Sequence, residues 1–179
     1  DDEGVAALRF RIRSGLIQPD LRVGAAVGNV SSLRANEGIC FQGPTLVGQG
    51  FRLTAEDLGR LGMDAQCLPA PVKNYLGGRD LVQTGEPRWV IDLFGLSEEQ
   101  SRIQYPSLFQ VLRDTVYPER QQQKRENYKV NWWIFGEPRP GLRRALNGLK
   151  RYIVTVETSK FKPFVFIDGG VVPDHKLYA

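Results

Sequence analysis

The chain is short of the residues that build metal and thiol chemistry: one histidine and two cysteines among 179 residues. His175 alone excludes a metal centre made of several imidazoles. Cys40 and Cys67 match no zinc spacing and no disulfide framework, so they read as free thiols of a cytoplasmic protein. No apolar run approaches the ~20 residues of a membrane span, which argues against a membrane partner. The opening DDEGVAALRFRIR has no secretory pattern and reads as the start of a fragment cut from a longer protein. GPTLVGQG carries Gly43, Gly48 and Gly50 in the manner of a phosphate loop. It lacks the Lys-Ser/Thr such a loop needs, so these are turn glycines.

What remains is an ordinary globular composition, 41% hydrophobic and 25% charged, with one anomaly. Nine of the 24 basic residues but only two of the 20 acidic ones lie between Arg120 and Arg151. The net charge of the whole chain is only +4, so the excess is local. A basic region on an otherwise neutral body fits a footprint on nucleic acid, although a solvated helix face has the same composition. Trp132 and Trp133 sit inside this window. On a strand they would face opposite ways, so one is expected in the core and the other as a stacking platform or as scaffold.

The periodicity gives a mixed order of elements. VAALRFRIR (5–13) alternates as a half-buried strand, and a Gly- and Asn-rich loop segment follows. LTAEDLGRLG is a short helix capped by Thr54, and PRWVIDLFG is a buried strand. Residues 96–120 read as two helices with breaks at Pro106 and Pro118. Leu108, Val111, Leu112 and Thr115/Val116 form the core face of the second. A polar segment follows, helical at first, with Arg120, Lys124, Arg125 and Lys129 at near-helical spacing. PRPGLRRALNGL is a short helix ending at Gly148. RYIVTVET, FKPFVFID and VVP are three strand-like runs. Strands at both ends with helices between make an α+β fold. At this length roughly 70% of the unfolded surface can be buried, which suits one domain over 1–179 with possible lobes 1–95 and 96–179.

Phosphate contacts are assigned to Arg120, Lys124, Arg125, Lys129, Arg139, Arg143 and Arg144. Thr158, Ser159, Lys160 and Lys162 join two strands, where short hydroxyls and lysines suit base-edge or phosphate contacts, or make a plain exposed hairpin. No catalytic or metal-binding constellation stands out. Asp168 and Asp174, followed by His175 and Lys176, are the thin basis for a metal-dependent nuclease. A protein-docking module using a Trp/Arg surface is the other alternative.

Several blocks then carry a resemblance in their order: IQPDLRVGAAV, LRANEGICFQGPTLVGQGFRLT, YLGGRDL, RWVIDLFGLSEEQSRIQYPSLFQVLRDTVYPER and WWIFGEPRPGLRRALNGLKRYIVTVETSKFKPFVF. Together they resemble the target recognition region of the MmeI-like, type IIL restriction–modification enzymes and related adenine-specific DNA methyltransferases. The resemblance covers essentially the whole chain. It implies a mixed, mainly antiparallel curved sheet with several short helices, and double-stranded DNA as partner. It also implies a methyltransferase domain in the same polypeptide, which uses S-adenosylmethionine to methylate a flipped adenine at N6. The adenine-pocket signature Asn-Pro-Pro-Tyr and a glycine-rich cofactor motif do not occur here. The expectation is therefore a specificity module with no cofactor and no catalysis of its own.

Overall fold

A computed structural model describes residues 34–83 and 85–179, together with Ile12, Ser14, Gly15 and Ile17. The strand expected over 5–13 and the loop segment up to residue 33 lie almost wholly outside the described residues. The chain divides into two compact units, Asp1–Glu37 and Gly38–Ala179. Within the first, Arg34–Asn36 form a 3-10 turn. All that follows concerns the second.

The expected lobes, 1–95 and 96–179, do not match this division. Sheet pairing is the reason, because one sheet joins early and late segments. β1 (Arg52–Leu53), β2 (Val72–Leu76), β3 (Trp89–Ile91) and β6 (Val172–Pro173) form a four-stranded sheet in the order β1-β3-β2-β6. β1 and β2 run antiparallel to β3, and β6 lies parallel to β2 with Tyr75 opposite Val172. A second sheet has β4 (Arg151–Val156) between β5 (Val165–Asp168) and β7 (Leu177–Tyr178), both antiparallel to it. With five α-helices beside two open sheets among the described residues, the fold is α+β.

The local signals explain most boundaries. Thr54 caps α1 (Ala55–Arg60) in a reciprocal box with Asp57, and Gly62 takes the left-handed φ of 65° just beyond, as helix termini favour. Ser97 and Gln100 form the same box at α2 (Glu98–Gln104). Pro106 begins α3 (Pro106–Gln121), where its missing N–H costs nothing.

The break expected at Pro118 does not occur, and α3 runs through it to Gln121. Proline removes only the bond to the carbonyl four residues back, here Asp114. Burial of Leu108, Phe109, Leu112, Val116 and Arg120 along one face holds the helix together. Val111 is only partly buried and Thr115 is exposed; the Thr115 hydroxyl donates to the Val111 carbonyl. α4 (Glu126–Val130) and α5 (Pro140–Leu146) complete the set.

The main core joins the four-stranded sheet to α3. Phe51, Val90, Ile91, Leu112 and Val116 are wholly removed from solvent. The turn Gln49–Phe51 lies against α3, and a Cβ on Gly50 would collide with Thr115. Glycine is required there for close approach. Among the described residues, no helix is long and apolar enough to cross a membrane.

Candidate nucleic-acid interface

The basic window does not form one charged surface. α3 ends at Gln121 and α4 begins at Glu126, so Arg120, Lys124, Arg125 and Lys129 do not share a helical face. Arg120 turns inward and is fully buried. Its guanidinium donates to the carbonyls of Leu46 (2.8 Å), Ile134 (2.9 Å) and Tyr128 (3.3 Å). It also lies over the rings of Phe51 and Tyr128. Burial pushes its pKa down to about 10, against the weaker opposing influence of Tyr128 and Glu119. Arg120 is a structural clamp on three chain segments and has no surface to offer a phosphate. It extends the apolar stripe of α3 by one position, which is why its charge misleads on sequence alone.

Arg143 departs from expectation in a related way. It grips Asp92 with two bonds, 2.7 and 3.0 Å, and lies over Phe94 with 4.4 Å to the ring centroid. Lys73 reaches the same carboxylate at 3.1 Å. Burial pushes the Asp92 carboxyl up, but Arg143 and then Lys73 outweigh it and hold the group below its usual range. Arg139 is held by Glu137 at 2.8 Å and by the Gln42 side chain at 2.7 Å. Its backbone has the positive φ of 53° at the start of α5.

Four of the expected phosphate ligands lie on the surface or at its edge. Arg125 is exposed, bonded to the Tyr128 hydroxyl at 2.7 Å and 3.7 Å from Glu137. Lys129 pairs with Glu126 one turn away on α4. Lys124 and Arg144 are exposed and make no ion pair among the described residues.

The tryptophans lie in a turn after α4, not on a strand. Trp132 is 4% exposed and packs edge-on against Tyr117 and tilted against Phe109. Trp133 is half-buried and donates its indole N–H to the Leu96 carbonyl at 3.0 Å. Both are scaffold, so the Trp/Arg docking surface considered from the sequence is not formed.

The nuclease alternative also loses its geometry. Asp168 accepts from the Gly170 amide within its own turn. Asp174 is buried, receiving the Tyr75 hydroxyl and the Lys176 amide, with His175 Nδ1 3.0 Å from its carboxylate. Among the described residues, no three acidic, histidine or cysteine side chains cluster as a metal site would require.

The loop between β4 and β5 carries the other four candidate residues. Thr158, Ser159, Lys160 and Lys162 are all exposed. Thr158 and Ser159 border a hollow of about 350 Å³ that is also lined by Arg79 and Lys176. Those two cations come from distant segments; sequence reasoning named Lys176 only beside Asp174 and placed neither at this loop, because only strand pairing brings them there. It also missed the exposure of Phe161, Phe164 and Phe166. As sequence, FKPFVFID reads only as a strand-like run, which leaves the burial of its rings open. The arrangement offers exposed cations and hydroxyls beside flat apolar rings, groups able to meet phosphates and bases.

No family model matches the sequence, and no curated protein does. A solved structure does match: the type IIL restriction–modification enzyme MmeI in complex with DNA, at a TM-score of 0.63 and 18% identity. The likeness covers 93% of this chain and 22% of that one. It is a likeness of fold. The chain corresponds to well under half of the enzyme it resembles.

Proposed function

We propose that this chain is a sequence-specific duplex DNA recognition module of a restriction–modification enzyme or adenine-specific DNA methyltransferase. The supporting observation is the extent of the fold likeness: 93% of the chain follows one part of an enzyme whose structure contains DNA. The surface is compatible with that reading. Lys124, Arg144, Lys160 and Lys162 point cations outward, while the inward arginines stiffen the body that carries them. In this reading the β4–β5 loop reads the groove and the exposed lysines hold the backbone. A methyltransferase domain elsewhere in the same cytoplasmic polypeptide supplies S-adenosylmethionine chemistry, and the present chain supplies none.

A salt titration of duplex binding tests the reading. Neutralising four to six phosphates gives a log–log slope of about −4 to −5. Lys124→Ala should weaken every duplex about equally and reduce that slope by about one unit, whereas Lys160→Ala should relax specificity at one position if it reads a base. Binding that ignores salt, or no binding, would reject the proposal. Labelled S-adenosylmethionine mixed with the isolated chain and duplex should leave the DNA unlabelled.

A further inference from the structure

The β4–β5 hairpin turns an aromatic face to solvent. Ile153 and Phe166 are register partners on its outer side, 45% and 58% exposed. Phe164 and Phe161, in the approach to β5, are 72% and 75% exposed. Single exposed apolar side chains need no explanation, but three phenylalanines within one short segment do. The inner side of the same hairpin is properly buried through Tyr152, Val154 and Val156, so the outer face is not the result of a misplaced register.

Cations are interleaved with these rings. The Arg151 guanidinium lies 4.4 Å from the centroid of Phe166, and the Lys160 ammonium 5.4 Å from that of Phe161. Lys162 follows Phe161 and rests on the Glu157 carbonyl at 3.1 Å. Of the two acids on this hairpin, Asp168 accepts from the Gly170 amide in its own turn, and Glu157 is exposed at the end of β4, so cations outnumber acids on this face. A partner that fits must present flat apolar rings and negative charge at alternate positions. Bases joined by phosphates do so; a protein surface would need an acidic rim around an aromatic-sized groove.

We propose that this face receives unstacked bases. Phe161 enters between base steps, Phe164 and Phe166 offer ring faces to a displaced or unpaired base, and Lys160, Lys162 and Arg151 hold the neighbouring phosphates. The inference rests on the nucleic-acid reading above and adds a second binding mode to it: single-stranded DNA should bind at least as tightly as a duplex of equal length.

Fluorescence anisotropy with a mixed-sequence single strand and its duplex tests this on the whole chain. Phe161→Ala and Phe164→Ala should each weaken single-strand binding about 5- to 100-fold, the range of one lost base–aromatic stack. The salt slope should stay unchanged, because no cation is removed. Both side chains are exposed, so thermal midpoints should match the parent and exclude misfolding. Unchanged single-strand affinity in both variants would overturn the proposal, whether or not the substitutions alter self-association or capture of a protein partner. If duplex binding and its salt slope persist in that case, the recognition reading stands alone. If the parent chain binds neither strand form, both readings fail.

Discussion

Charged residues in this protein divide by what surrounds them, and the two groups respond oppositely to substitution. Arg120 bonds three carbonyls from separate segments inside the core. Arg120→Ala strands those acceptors and opens a cavity, so urea unfolding should show a loss of about 3–5 kcal/mol. Lys124 is exposed, and its alanine variant should stay within about 0.5 kcal/mol of the parent.

Asp92 shows the pH side of the same division. Arg143 and Lys73 hold its folded-state pKa below the ordinary value. A depressed carboxylate stabilises the fold above its unfolded pKa of about 3.9 and ceases to as pH falls through the folded value. Arg143→Met leaves a buried carboxylate with only Lys73 beside it. The variant's deficit should therefore be largest near neutral pH and narrow on acidification through the carboxylate range, as denaturant midpoints across pH would reveal. A deficit independent of pH would mean that Arg143 acts only through its packing on Phe94 and Phe135.

Helices and hairpins here are governed by faces more than by propensity. α3 keeps its course through Pro118 because its buried stripe continues to Arg120. Pro118→Ala restores a helical donor and removes a ring from the turn preceding the helix end. We expect stabilisation by about 1–3 kcal/mol, offset in part by a freer unfolded chain. Calorimetry would show a higher melting temperature; a lower one would mean the ring packs to advantage. The β4–β5 hairpin is the contrasting element. Its alternation is regular, but only its inner side is covered.

At the scale of the molecule, a short stretch of chain between β6 and β7 carries the backbone from one sheet to the other. β6 pairs with β2 in one sheet and β7 with β4 in the other, and Asp174 stands between them. The Tyr75 hydroxyl donates to its carboxylate, and the Asp174 amide donates to the Leu76 carbonyl. Burial, with Asp174 adding to it, raises the Tyr75 pKa well above 10. Burial does the same for Tyr152. Above about pH 10 the unfolded chain releases these phenolic protons while the folded chain keeps them, so stability must fall as pH rises. Tyr75→Phe should cost about 1–3 kcal/mol at neutral pH, by leaving Asp174 short of a donor, and should flatten the alkaline decline. An alkaline slope equal to the parent's would show that other groups carry it.

The sequence by itself determined what depends on neighbours along the chain. Thr54 capped an expected helix, Pro106 divided two others, and RYIVTVET read as a strand-like run. The α+β class followed from that order. These signals are local, because caps and alternation act within a few residues. Tertiary structure alone decided which charges face water. Arg120 and Lys124 are chemically similar on paper, yet one closes the core and the other lies outside, since burial depends on where a segment packs and not on side-chain type. The same holds at the hairpin. Strand pairing brought Arg79 and Lys176 to Thr158 and Ser159 from remote segments, and left Phe161, Phe164 and Phe166 uncovered because no other described element packs over that side.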